Sequence, residues 1–384
     1  MAFPLHAQIK HYDWGIPGAL SHALGREASG FPEAEIWWGN HLFGECEIST
    51  PNGVEDFPTW LENTGTAFPL LAKLLAAETP LSIQIHPSQH YAELGFDREE
   101  AAGIPLESRE RTYKDRSAKP ELIIALSDDF VGLAGFADEA TVRERLARWL
   151  SAGVPQRLAE VFGPVAGDPR EASRLITEAI SDQSKVVLEL EQWLASVTPS
   201  RLEPKTDAEV RLLQQVSSAH PGDPGIFFVL LMHHVYLARG DALFVPSGEI
   251  HAYVKGLGLE VMSPSDNVIR AGLTSKHKDA QAFLELSDFT QTNGPRLVSP
   301  MKNSHHDTYR DFGVDFSVRR ISFGAQEFSL ASPSVCFVES GLAVVSNSEE
   351  TTLRRGDVVL ALPGETLLPQ SEDAVVWVVH AGSD

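Results

Sequence analysis

The sequence predicts a mainly β protein with a helical insert, built as two small β-barrels plus an α-helical domain. Three observations carry this. The stretch from Gly240 to His251 reads Gly-Asp, four residues, Pro-x-Gly, two residues, His, which is a strand, a tight turn and a second strand that aims an imidazole. Between about 137 and 220 apolar residues recur at three- and four-residue spacing, the period of amphipathic helices. In the last hundred residues strands return, and Arg355-Gly356-Asp357 followed by Pro363 echoes Arg239-Gly240-Asp241 followed by Pro246, without the histidine.

Composition sets the bounds. The 384 residues suffice for two or three domains, and 43% hydrophobic content marks a globular chain. Lysine and arginine total 31 against 53 acidic residues, a net charge of −22, which argues against duplex nucleic acid and anionic membranes as partners. An anionic ligand would need a local basic cluster. Cys46 and Cys336 are the only cysteines, too few for a disulfide framework or a thiolate metal site. No signal core opens the chain and no apolar run approaches the length of a membrane span, so a cytoplasmic protein is expected, as a monomer.

Along the chain, HYDWG (11–15) and AEIWWGNH (34–41) are turn-rich aromatic corners, or else place Asp13, Trp14 and Glu35 at a pocket rim. Phe68 to Leu75 reads as a buried strand interrupted by Lys73. In LSIQIHP, Ser82, Gln84 and His86 alternate with apolar residues and so share one strand face, either solvated or lining a barrel. Pro120 biases Lys119 towards extended backbone, which sets Glu121 at the mouth of a strand. The helical segment reads as structural, with a capping box at Thr206 and Glu209 and breaks at Pro164 and Pro169. Ile226 to Met232 is a strand or a short buried helix, and His233 and His234, facing opposite ways, are ordinary histidines. The expected division is a catalytic barrel from 1–136 and 221–290, a helical domain over 137–220, and a degenerate barrel over 291–384.

Gln84, His86, Glu121 and His251 form an N2O2 set able to hold one borderline cation; zinc fits, and iron(II) or manganese would suit the two-His-one-carboxylate core. The Gly-Asp…Pro-x-Gly-x2-His spacing matches a motif of the cupin superfamily, so the two barrels are expected to be of the jelly-roll type, a bicupin. LSIQIHPSQHYAELGF, AAGIPLESRERTYKD, KPELIIAL, GEIHAYVKG and LEVMSPSDNVIRAGLTSKHKD resemble the signature blocks of the type I phosphomannose isomerase family, from HYDWG to about residue 280. The resemblance implies one zinc ion on the same four residues and a sugar phosphate substrate, mannose 6-phosphate or fructose 6-phosphate, interconverted through a cis-enediol. It implies an essential Arg270, with Ser82, Lys119 and Lys276 around the sugar phosphate. Glu260, then Asp266, are the candidate bases, Lys119 joins the catalytic set, and Tyr253 is grouped with the substrate-binding residues. The chain departs from the family at Ala118, where a histidine often precedes KPE. A bland alternative makes Arg270 a salt bridge to Asp266. Rival classes are an iron(II) dioxygenase and a non-catalytic sugar-binding protein.

Overall fold

The computed structural model describes residues 2–41, 44–178, 183–310, 312–347 and 349–382. The fold is mainly β. Its centre is the twelve-residue strand His251–Met262, which pairs antiparallel with four others. Its first half lies between Phe130–Phe136 and Ile83–Ile85, and its second half between Leu71–Ala77 and Glu121–Ala125. A strand has only two edges, so each edge takes two partners in succession along its length. Gly256, at φ 120°, sits where the partners change, and a Cβ there would meet Phe130 Cα at 2.8 Å. Ala242–Val245 extends this ten-stranded sheet from Glu121–Ala125, and Met232–Leu237 closes the other side beyond Phe130–Phe136.

Sheet membership does not follow chain order. The strands Phe3–Ala7, Cys46–Thr50 and Gly53–Asp56, assigned by chain order to the catalytic barrel, join the nine-stranded sheet of the C-terminal strands, with Phe3 opposite Leu360. Conversely Arg296–Val298, assigned beyond residue 290 to the second barrel, pairs with Ala242–Val245 of the first sheet. Short strands carry no local mark of the partner they will find, and pairing is settled by which open edge they can cover.

The echoed turns fold alike. Asp241 and Asp357 each turn a carboxylate oxygen onto the backbone N–H three residues back, at 3.0 and 2.8 Å. Gly248 and Gly364 share φ values of 83° and 85° after Pro246 and Pro363. Counting on from these glycines, His251 corresponds to Leu367, which is buried in an apolar cluster with Val345, Leu353 and Val376.

Helices occupy Glu139–Ser151, Gln156–Phe162, Pro169–Thr177, Gln183–Ser196 and Pro204–Ala219, while residues 179–182 of the expected helical stretch lie outside those described. The capping box at Thr206 does not form. Pro204, favoured in a first turn, starts the helix earlier, and Glu209 instead binds Arg148 and Trp149 from the neighbouring helix. Ile226–Met232 resolves into helix: Pro224–Phe227 is 3-10, Phe228–Leu231 is α, and the strand begins at Met232. This apolar turn shares a core with Trp149, Leu213 and Val216 of the helices and with Ile83 and Ile85, so the helices brace the strand that carries Gln84.

Candidate metal centre and active site

Three strands bring the expected ligands together. His251 lies directly opposite Gln84, and Gln84 directly opposite Arg270 on Ile269–Gly272, so the three point from one face. Glu121, at the start of its own strand, and His86, just past Ile83–Ile85, complete the group. Among the described residues His86, Glu121 and His251 are the one set of three or more His, Cys, Asp or Glu side chains whose donor atoms all lie within 4.8 Å of one another. All three are buried.

The hydrogen bonds behind the imidazoles show what this cluster can hold. His86 Nδ1 lies 2.7 Å from the Asn267 carbonyl, and His251 Nδ1 lies 3.0 Å from that of Glu249. A carbonyl only accepts, so each ring carries its proton on Nδ1 and turns the Nε2 lone pair inward. His86 Nε2 stands 3.0 Å from Glu121 Oε1 yet has no hydrogen-bond partner, and His251 Nε2 stands 3.5 Å from Glu121 Oε2. Two lone pairs and a carboxylate thus converge with no proton between them, an arrangement that repels itself unless a cation occupies the centre. Burial pushes the His86 imidazole down to about 4, against the pull of Glu121, which keeps it a neutral ligand. Burial alone would raise Glu121, but the charge of Lys119 outweighs it and holds the carboxyl well below the usual range. Gln84 Nε2 is 3.3 Å from His251 Nε2 while its Oε1 accepts from Ser82 Oγ at 2.9 Å. Exchanging the amide oxygen and nitrogen turns the oxygen inward and leaves Ser82 Oγ as acceptor, completing the N2O2 set.

Around this centre the other expected residues take distinct places. Lys119 is buried with Nζ 3.0 Å from Glu121 Oε1. Tyr253, grouped from sequence with the substrate-binding residues, is buried and donates its hydroxyl to Glu121 Oε2 at 3.3 Å, steadying that carboxylate. Glu260 is closed in, its side chain 5% exposed and 3.8 Å from Lys73 Nζ. Burial raises its carboxyl, and the charge of Glu121 adds to that. Asp266 is more open, at 34%, with Oδ1 3.2 Å from His41 Nε2. Burial would raise Asp266, but the bond from His41 and its charge hold it below its ordinary value. The expected alternative of an Arg270–Asp266 salt bridge does not form. Among the described residues the Arg270 guanidinium and the Lys276 ammonium have no hydrogen bond or ion pair. Burial lowers both, and for Lys276 the charge of Arg270 lowers it further, as two neighbouring cations awaiting an anion would.

Sequence reasoning marked Asn267 only as one of several polar groups near His251, noted Lys73 only as an interruption in an apolar run, and passed over His41. Lys73 lies in a strand whose seven residues are all buried, with Glu35 and Glu260 each 3.8 Å away and the Trp37 ring centre 4.2 Å from Nζ. Its signal was present: a lysine inside an apolar run is tolerated only with a partner. Asn267 ties the loop at Lys114 and Asp115 to the site through its side chain while its carbonyl orients His86. His233 and His234 bond the backbone carbonyls of Thr292 and Val229, outside the cluster.

Comparison with known proteins agrees with this geometry. Residues 2–139 match the family model of the phosphomannose isomerase type I catalytic domain. Mannose-6-phosphate isomerase of Salmonella typhimurium is 30% identical over 96% of this chain and 94% of its own, and that of Escherichia coli K12 is 29% identical over 97% and 96%. A crystal structure of the Salmonella typhimurium enzyme bound to fructose 6-phosphate and zinc superposes with a TM-score of 0.84 at 29% identity, covering all of both chains. A zinc-bound mannose 6-phosphate isomerase gives 0.85 at 28%, again over both chains in full. Full-length similarity at this level, with the ligand blocks in order, means that the chain belongs to the type I phosphomannose isomerase family.

Proposed function

We infer that this chain is an aldose–ketose isomerase interconverting mannose 6-phosphate and fructose 6-phosphate, with one zinc ion held by His86, Glu121, His251 and the Gln84 amide. The observation that carries the reading is the convergence of two unprotonated imidazole nitrogens on a buried carboxylate beside two unpaired cations. When bound, zinc supplies Lewis acidity and a clamp for the sugar oxygens. The chain does the rest. Tyr253 and Lys119 fix the Glu121 carboxylate, and the Asn267 and Glu249 carbonyls fix the two rings. Lys276 and Ser82 take the phosphate, and Arg270 faces the C1–C2 end, where oxyanion charge grows as the cis-enediol forms. Glu260 is the first candidate to carry the proton from C2 to C1. Its burial beside Glu121 holds it towards neutrality, and Lys73 stands next to it as a charge partner. Asp266, oriented by His41, is the second. A dioxygenase would want an open apolar pocket, and the paired cations Arg270 and Lys276 oppose that.

The architecture supports two cupin-type barrels, the second having lost its metal where Leu367 replaces the histidine, with the helical domain inserted into the first. A cytoplasmic monomer remains the expected state. The test is His251→Ala, assayed by metal analysis and by coupled conversion of fructose 6-phosphate. Zinc content and turnover should fall together; a variant that retains one zinc per chain would show that the ligand set is wrong.

A further inference from the structure

The segment that carries both free cations is held in a costly shape. Leu273, between Arg270 and Lys276, has φ 53°, and it is the one non-glycine residue with positive φ among those described. It is buried in the core shared with the helices. A leucine keeps this conformation only where its surroundings impose it. Those surroundings come from the far end of the helical segment. Asp223, which follows the helix Pro204–Ala219, accepts the Gly225 N–H on Oδ1 at 2.7 Å and the Thr274 N–H on Oδ2 at 3.3 Å. Lys278 Nζ approaches the same Oδ2 to 3.6 Å. Beneath this bridge the backbones of Gly225 and Gly272 are in contact, so that a Cβ on Gly272 would lie 2.7 Å from Gly225 Cα. Thr274 then passes the constraint on, its Oγ1 accepting the Lys276 N–H at 3.0 Å.

We propose that Asp223 is a positioning residue for the isomerase site: its carboxylate pins the strained turn at Leu273 and so sets where Lys276 presents its charge. This rests on the reading of that cation as substrate-holding. It also gives the helical segment a part in the site, because the pin is fastened to the helical side of the Gly225–Gly272 contact.

Asp223→Asn is the informative variant. Its single amide oxygen keeps the shorter bond to Gly225, while the NH2 it offers Thr274 cannot accept. In the zinc-loaded full chain, amide hydrogen exchange over 273–276 should quicken. KM for fructose 6-phosphate should rise about tenfold, the size of one lost hydrogen bond at about 1.4 kcal/mol per decade, with kcat changed less than about twofold. Lys278→Ala removes only the ion pair and should leave KM unaltered. Should Asp223→Asn show ordinary exchange over 273–276 and an unaltered KM, with Asp223→Ala merely less heat-stable, Asp223 is a local turn residue and the proposal falls. Faster exchange, with Asp223→Asn, Lys276→Ala and Arg270→Ala all kinetically silent, would uphold the pin and sink the substrate reading beneath it.

Discussion

At the scale of single residues, the proposed roles separate a group that holds charge in the ground state from one that meets it in the transition state. Arg270, without a protein counter-ion, is free to meet a developing oxyanion, so Arg270→Ala should lower kcat by roughly 10²–10³ with much less change in KM. Lys276→Ala should do the reverse, raising KM, because the phosphate is bound alike in both states. Steady-state kinetics on both variants, with a melting curve for each, checks the split; two variants that differ from the parent only in melting would defeat it. The carboxylates are distinguished by isotope. Glu260→Gln should abolish uptake of solvent deuterium at C2 of mannose 6-phosphate while zinc stays bound, and Asp266→Asn should slow it without abolishing it. The opposite ranking would move the base to Asp266, whose side chain is the more open at 34% against 5%.

At the scale of elements, buried ion clusters fasten helices and hairpins to the sheets. Arg145 Nη1 donates to the carbonyls of Val229, Leu230 and Met232 at 3.0, 2.6 and 2.8 Å, closing the short helix before the strand Met232–Leu237. Glu209 balances it, with Oε1 3.5 Å from Arg145 Nε and 2.7 Å from Arg148 Nη2. Glu209→Gln should therefore cost about 3 kcal/mol in chemical denaturation, since it strands a buried cation, and leave zinc content intact. The hairpin around Glu33 behaves differently with pH. Burial works to raise its carboxyl, but bonds from the Ser21 and Ser29 hydroxyls and N–H groups prevail and lower it. The native state thus binds fewer protons than the unfolded chain between that lowered value and about 4.3, so stability rises with pH through this window. The melting difference between the parent and Glu33→Gln should be full at pH 7 and shrink as pH falls through the lowered value. A difference independent of pH would refute this account.

At the scale of the molecule, the N-terminal strand joins the two halves. Phe3–Ala7 lies between Val358–Ala361 and Cys46–Thr50, so the C-terminal sheet cannot be completed without the first residues of the chain. Gly356, at φ 85°, is packed where an added Cβ would collide with the Leu24 carbonyl. Gly356→Ala should destabilise by about 2 kcal/mol or more, combining positive-φ strain with that clash. Because the two large sheets share a core through Leu74 and Ile124 of one and Phe337 and Leu360 of the other, calorimetry should show one transition that moves as a whole. Two transitions, with only one shifted, would mean that the halves unfold independently.

The sequence by itself determined the mainly β class, the helical segment and the four residues now proposed as metal ligands. These are local properties: a period of two puts Gln84 and His86 on one face, and a Pro-Gly turn aims His251. The resemblance then supplied the roles of Arg270 and Lys276. Only the tertiary structure decided which strands share a sheet, that Lys73 is clasped by Glu35 and Glu260, that His41 faces Asp266, and that Tyr253 bonds Glu121. Each of these depends on a partner far along the chain, and Gln84 itself meets His251 across 167 residues. Hydrogen-bond direction lies equally beyond local pattern. The lone pairs of His86 and His251 point inward because two backbone carbonyls, brought up by the folding of other segments, accept the protons on the opposite nitrogens.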